Sequence, residues 1–112
     1  MAKHILPIRE EDRRFFESLS KGEKTIETRA ATEKYRKIKK GDTLVFVCGQ
    51  DKLGKRVKDT NLFKTIEEIA EVIDLKKIMP FVNSVEEMKE VYFSFPGYKE
   101  KISKFGLISF NL

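Results

Sequence analysis

The sequence predicts a single α+β domain over residues 1–112, built as a small mixed or antiparallel β-barrel or strongly bent sheet with flanking helices. The apolar and turn patterns follow the order β-α-β-β-β-α-α-β, and successive strands favour antiparallel pairing over a doubly wound fold. The chain has the length of one domain. Its 40% hydrophobic content, with nine Phe, is enough for a folded core.

The first three elements have clear boundaries. Residues 4–8 form a short apolar strand, which Pro7 restricts to a sheet edge or end. A helix is expected from about residue 9 or 10 to Lys21, with Gly22 as the residue that stops it. Residues 25–29 then alternate and contain β-branched side chains, which predicts a strand.

The middle of the chain predicts two further strands. Residues 30–40 are basic and irregular, whereas residues 43–48 form the strongest apolar run and should be a central strand. Cys48 at its end is expected to be a buried small hydrophobic residue. A hairpin-type connection follows over residues 49–54, and residues 55–63 should form one strand near a sheet edge.

Two capping boxes introduce the helical part. Thr65, with Glu68 three residues later, predicts a helix to about residue 73. After a short break, residues 75–79 are expected to continue it. Ser84 with Glu87 predicts a second helix, which runs into an aromatic turn near residue 95. Residues 98–104 are expected to form one more turn, and residues 107–112 alternate as the last strand.

The net charge of +5 is concentrated in one part of the chain. Residues 21–60 carry a net charge of +6, whereas residues 1–20 are neutral and residues 61–112 carry −1. A local excess of this kind favours polyanions or phosphate-bearing ligands. The alternative is a Lys-rich surface that is merely solvated.

The candidate binding residues lie in this basic segment. Alternation places Thr25, Glu27 and Arg29 on one face of the predicted strand, with Lys24 at its entrance. Lysine with glutamate can also serve acid–base chemistry where burial shifts their pKa values. We interpret this stretch as the floor of a cleft; the alternative is a surface ion pair between Glu27 and Arg29.

Aromatic residues near the second capping box complete the candidate site. Tyr92 and Tyr98 are proposed as cleft walls, beside Phe93 and Phe95. Basic groups next to aromatic rings suit nucleobase binding, because cations bind phosphate and rings stack on bases. The alternative is that these rings belong to the core.

Several classes of protein are not expected. The segment 49–55 lacks the Ser or Thr of a phosphate-binding loop, and His4 has no partners for a catalytic triad. His4 and Cys48 lack the spacing of metal ligands, so we predict neither metal nor cofactor. No apolar run has the roughly 18–20 residues of a membrane span, and the N-terminus lacks the features of a signal peptide. A lone cysteine suits the cytoplasm.

The motifs resemble the ASCH domain of the PUA-like superfamily over about residues 4–112. The residues that carry the resemblance are G-x-K-T-I-E-x-R at 22–29 and I-K-K-G-D-T-L-V-F at 38–46. S-V-E-E-x-x-x-V-Y at 84–92, S-F-P-G-Y at 94–98 and K-F-G-L-I-S-F at 104–110 are similar too. The resemblance implies a PUA-like barrel with a cleft that binds RNA or a nucleotide-like small molecule.

The resemblance also implies a possible enzyme. Some small bacterial members are amidohydrolases that deacetylate N4-acetylcytidine with a lysine, a threonine and a distant glutamate. Lys24 matches the lysine, Glu27 stands in place of the threonine, and the glutamate position falls near Phe81. The leading hypothesis is therefore an RNA- or nucleotide-binding module; an amidohydrolase with Lys24 and Glu27 as catalytic residues and a protein-interaction domain are the alternatives.

Overall fold

Six strands and six α-helices make up the protein in a computed structural model that describes all residues 1–112. The strands are β1 (Lys3–Pro7), β2 (Ile26–Ala30), β3 (Thr43–Cys48), β4 (Asp51–Arg56), β5 (Asp59–Phe63) and β6 (Leu107–Asn111). The helices are α1 (Arg13–Lys21), α2 (Glu33–Arg36), α3 (Ile66–Val72), α4 (Leu75–Ile78), α5 (Val85–Ser94) and α6 (Tyr98–Phe105), with a 3₁₀ turn at Glu10–Asp12.

The first sheet has the order β1-β3-β4. β1 pairs in parallel with β3, and β3 pairs antiparallel with β4. Leu44, Phe46 and Cys48 alternate along β3 and are each fully buried. The prediction that residues 43–48 form a central strand, with Cys48 as a buried residue, is therefore confirmed.

The second sheet has the order β2-β6-β5 and is entirely antiparallel. Its central strand β6 is buried on both faces from Leu107 to Phe110. β2 lies at one edge of the sheet, where its outer side is not covered by another strand. This edge is the feature around which the candidate site is built.

The prediction of a single strand over residues 55–63 is wrong. The chain leaves the first sheet after Arg56 and joins the second sheet at Asp59. Val57 N donates to Asp42 O, while Lys58 N donates to Asn111 O, so consecutive residues bond to different sheets. The segment alternates on both sides of this turn, and alternation alone therefore does not reveal it.

The strands and helices confirm the α+β class, but the strands do not pair into a closed barrel. The six strands form two separate three-stranded sheets, each with two edges. The helices α3 to α6 lie between β5 and β6 in the chain, and α4 and α6 both pack against β2. None of the helices is long and apolar enough to cross a membrane.

Local capping chemistry sets the helix boundaries as the sequence predicted. Gly22 ends α1 with a φ of 78°, a conformation that glycine adopts without strain. Thr65 accepts a hydrogen bond from Glu68 N, and Ser84 accepts one from Glu87 N. Each cap starts a helix at the next residue, so α3 and α5 begin where their capping boxes indicate.

Candidate functional site

A cleft of about 170 Å³ opens beside the outer edge of β2. It lies among the turn after β1, the end of α4 and the junction of α5 with α6. Its polar lining includes Arg9, Asp12, Lys24, Glu27, Thr28 and Arg29, and its apolar lining includes Phe15, Met79, Tyr92, Phe95 and Tyr98.

The floor of the cleft contains a buried ion cluster of Lys24, Glu27 and Arg29, which we name the cleft triad. Lys24 Nζ lies 3.1 Å from Glu27 Oε1, and Arg29 Nε donates to Glu27 Oε2 at 2.8 Å. The side chains are 1%, 7% and 13% exposed in chain order. The predicted alternative of a surface ion pair is therefore wrong, because all three groups are taken out of water.

Lys24 is held by three acceptors. Its Nζ donates to Ile26 O at 2.8 Å and to Ile78 O at 2.6 Å, in addition to its contact with Glu27. Burial lowers the pKa of Lys24, and the Glu27 carboxylate partly offsets that effect. Three acceptors require three N–H groups, which only the ammonium form possesses, so we assign Lys24 as charged in the unliganded cleft.

The carboxylate of Glu27 is stabilised by two cations. Burial acts to raise the pKa of Glu27, but the charges of Lys24 and Arg29 outweigh it and hold the pKa below its ordinary value. Burial acts to lower the pKa of Arg29, but Glu27 keeps that pKa above its ordinary value. The cleft triad therefore carries two positive charges and one negative charge at neutral pH.

Aromatic side chains form the walls. Phe95 lies edge-on to Phe15, Tyr92 and Tyr98, with ring centroids 5.8, 6.4 and 5.2 Å away. Tyr92 is buried and its hydroxyl hydrogen-bonds Thr28 Oγ1, whereas Tyr98 OH accepts from Ala30 N at 3.4 Å. Burial raises the pKa of both tyrosines, so their phenols are neutral at physiological pH.

The rim adds a third cation, Arg9, whose charge is paired with Asp12. Arg9 Nε donates to Asp12 Oδ2 at 2.8 Å, and its guanidinium lies 5.9 Å from the centre of the Phe95 ring. Arg29 Nη1 lies 3.3 Å from Tyr35 OH on α2, the helix that begins the basic segment 33–40. Helix α2 is therefore joined to the cleft lining through Arg29.

The structure brings together five of the six predicted site residues. Lys24, Glu27, Arg29, Tyr92 and Tyr98 all line the cleft. The expectation that Thr25 shares their face is wrong, since Thr25 is exposed and lies outside the lining. Its backbone N donates to Lys77 O, just before β2 begins at Ile26.

Several lining groups escape sequence reasoning. Alternation places Thr28 on the opposite face of β2 from Glu27, yet Thr28 also borders the cleft because the cleft lies along the strand edge. Met79 and the Ile78 carbonyl arrive from α4, far along the chain. No local pattern signals those two contacts. The S-F-P-G turn, by contrast, was a visible signal for Phe95.

The remaining chemically versatile residues have structural partners. His4 Nε2 lies 2.8 Å from Asp42 Oδ2, and Cys48 is buried with its pKa raised by that burial. No group of three or more His, Cys, Asp or Glu side chains is arranged to hold a metal ion. The cleft is thus the site where ionisable groups converge in a concave, aromatic setting.

Comparison with known proteins finds solved structures that are similar over nearly the whole chain. The crystal structure of hypothetical protein PH0355 is 31% identical, with a TM-score of 0.83, and the match covers 99% of this chain and 96% of that one. The solution NMR structure of protein PF0455 from Pyrococcus furiosus is 32% identical, with a TM-score of 0.73 over 98% and 93% of the two chains. No family model matches the chain, and no curated protein matches it.

Fold and site together define a small α+β protein with a cleft of ligand size at a sheet edge. The chain belongs to the same family as PH0355 and PF0455, since identity and coverage are high over nearly the whole of each protein. Neither protein is described with an activity. The functional argument therefore depends on the chemistry of the cleft.

Proposed function

We propose that this protein binds RNA or a nucleotide-like small molecule by taking one nucleobase into the cleft above the cleft triad. The observation that carries the proposal is a carboxylate, Glu27, buried between two cations and surrounded by aromatic rings. A base has polar edges and flat apolar faces. The polar floor and the aromatic walls of the cleft are complementary to those two properties.

The size of the cleft supports a single ring. Its volume of about 170 Å³ is close to the engineered apolar cavity of about 150 Å³ that holds benzene. A pyrimidine ring is similar in size to benzene, so one such ring fits while the sugar remains outside. The basic segment near Tyr35 then lies where a sugar–phosphate chain would leave the cleft.

The members of the cleft triad take different roles. Glu27 uses one lone pair on each oxygen for Lys24 and Arg29, and its remaining lone pairs are available to a base amino group. Arg29 can donate to a carbonyl or phosphate oxygen. Lys24 has no N–H left to donate, so it holds Glu27 in position and contributes charge.

The resemblance to the ASCH domain is part of this proposal. The motif G-x-K-T-I-E-x-R supplies all three members of the cleft triad, and S-F-P-G-Y supplies Phe95 and Tyr98. Both of these motifs therefore contribute residues to one cleft. We propose on this basis that the chain is an ASCH domain of the PUA-like superfamily.

The test is a thermal-shift screen of nucleosides and short single-stranded RNAs, followed by calorimetric titration of those that bind. A ligand of the native state raises the melting temperature. Glu27→Gln should weaken binding, while Arg13→Ala, an arginine outside the cleft, should leave it unchanged. The proposal is overturned if no nucleoside or RNA binds, or if Glu27→Gln binds as tightly as the wild type.

Hydrolysis of an N-acylated nucleoside is the second candidate. The observation that favours it is Lys24, whose pKa is lowered by burial inside a cleft and beside a carboxylate. Phe81, near the expected glutamate position, packs edge-on against Phe15 at 5.0 Å and supplies no acid. Incubation with N4-acetylcytidine should release cytidine and acetate, and Lys24→Ala should abolish the release; absence of product at high enzyme concentration excludes this activity.

A further inference from the structure

The main chain of β2 has N–H and C=O groups that form no hydrogen bonds with β6. In an antiparallel pair, successive residues direct their N–H and C=O groups alternately toward the partner strand and away from it. Ala31 N donates to Gly106 O, and Leu112 N donates to Thr25 O, so the odd-numbered positions of β2 face β6. The N–H and C=O groups of Thr28 therefore point away from β6, toward the open edge.

Neighbouring edge groups already have partners. Ile26 O accepts from Lys24 Nζ, and Ala30 N donates to Tyr98 OH. Both partners line the cleft, which shows that this edge borders the cleft. Thr28 lies between them, and no hydrogen bond from a loop or a side chain reaches its main-chain N–H or C=O. Its hydroxyl hydrogen-bonds Tyr92.

An unpaired donor and acceptor at this place require an explanation. Thr28 is only 7% exposed, and buried backbone groups are nearly always hydrogen-bonded. The two groups belong to one extended residue and point in the same direction, so a planar ring with an acceptor next to a donor can bond to both. Pyrimidine nucleobases carry such an edge: O4 with N3–H in uracil, and N3 with the N4 amino group in cytosine.

We propose that the main-chain N–H and C=O of Thr28 recognise the hydrogen-bonding edge of a pyrimidine ring in the cleft. This inference rests on the proposed function and adds the group that selects the ligand. The N–H donates to the ring acceptor, and the C=O accepts from the adjacent donor. Glu27 and Arg29 then contact the substituents that flank this edge.

The length of the open edge identifies the occupant as a small ring. Lys24 occupies the main-chain carbonyl of Ile26, and Tyr98 occupies the N–H of Ala30. A peptide that added a strand to β2 would need several consecutive free main-chain groups. One free residue between two occupied ones suits a single planar group, and the cleft volume agrees.

The experiment compares two isomeric ligands that differ only in where a methyl group is placed. The full chain, labelled with ¹⁵N, is titrated with uridine, 5-methyluridine and 3-methyluridine. The methyl of 3-methyluridine removes the N3–H donor and blocks the edge, while that of 5-methyluridine leaves the edge free. We expect 3-methyluridine to bind at least about tenfold more weakly than its isomer, the effect of one lost hydrogen bond to a buried group.

The amide resonance of Thr28 provides a second, independent measurement. Uridine and 5-methyluridine should shift it and slow its hydrogen exchange, with smaller effects at Glu27 and Arg29, whose amides are bonded to β6. Arg13→Ala, at an arginine outside the cleft lining, should retain the preference between the isomers.

The outcomes separate the two proposals. Equal affinity for both isomers, equal weakening by both methyl groups, or an unmoved Thr28 amide overturns the role of Thr28 while leaving nucleoside binding intact. If none of the three nucleosides binds and cytidine does not bind either, pyrimidine recognition by Thr28 is excluded. The proposed function then fails as well if the wider screen of other nucleosides and RNAs is also negative.

Discussion

The cleft triad and a surface cluster of Arg13, Glu10 and Asp51 both pair cations with carboxylates at nearly the same distances. Arg13 lies 2.7 Å from Glu10 and 2.8 Å from Asp51, as close as Arg29 lies to Glu27. Their surroundings differ, because the surface side chains are 34–63% exposed and those of the triad at most 13%. Distance alone therefore says little about what an ion pair contributes.

Burial determines what each cluster does. Water solvates the members of the surface cluster whether or not they meet, so their contact contributes little to stability. The members of the cleft triad depend on one another, since removal of Glu27 leaves two uncompensated cations in a poorly solvated place. The protein keeps this costly arrangement at its cleft, where charge and desolvation are available for binding.

The strongest test of this contrast is Glu27→Ala. The change leaves Lys24 and Arg29 buried without a counter-ion, and we expect a loss of about 3–5 kcal/mol in the free energy of unfolding. Urea denaturation of the variant and of Glu10→Ala, its counterpart in the surface cluster, provides the comparison. Similar small losses for both variants would contradict the distinction.

Lys24→Met should have the next largest effect. The thioether side chain is apolar and of similar length, and it leaves the Ile26 and Ile78 carbonyls without their donor while Glu27 keeps Arg29. Unsatisfied buried acceptors cost about 1–3 kcal/mol, measurable by the same denaturation. If the variant is as stable as the wild type, the hydrogen bonds of Lys24 do not contribute to the free energy of unfolding.

The pH dependence of stability tests a third contact between ionisable side chains, that of Asp42 with His4, which belongs to neither cluster. Asp42 accepts from the backbone N–H groups of Lys39 and Ala2 and bonds His4, and the hydrogen bond with His4 is the main cause that lowers its pKa from 3.8 to about 2. A lowered carboxyl pKa stabilises the fold above the unfolded value of about 4 and loses that effect as the pH falls toward 2. Melting temperatures between pH 6 and 2 should fall less steeply for Asp42→Asn than for the wild type. Parallel curves would show that Asp42 does not contribute to the loss of stability in acid.

Arg13→Ala should have the smallest effect. Exposed pairs contribute little, even in a close geometry like that with Glu10 and Asp51. We expect a melting temperature that differs from the wild type by no more than the error of the measurement. A clear drop would show that the surface cluster, including the bond from Arg13 to Cys48 O, has a structural role.

What the sequence predicted well depended on local chemistry. Gly22, Thr65 and Ser84 set helix ends through contacts within four residues, so the pattern contains the needed information. Glu27 and Arg29 were placed side by side by strand alternation, and the structure confirms that they share a cleft.

What the sequence missed depended on contacts between distant segments. The division between β4 and β5, the Ile78 carbonyl at Lys24 and the open edge at Thr28 all follow from which strands and helices meet. Periodicity describes a face of an element but not its neighbour. Whether the N–H and C=O of Thr28 face β6 or the open edge depends on how the residues of β2 pair with those of β6, and no side-chain pattern contains that information.

The pairing of β2 with β6 also has a consequence for the order of folding. β2 is the second strand in the chain and β6 the last, so Glu27 finds its register partner Phe110 only after almost all of the chain is available. Contacts of such long sequence separation slow folding, because a large loop must close before they form. During synthesis, β2 therefore lacks its pairing partner until β6 emerges, and the sheet that carries Glu27 and Arg29 is completed among the last parts of the protein.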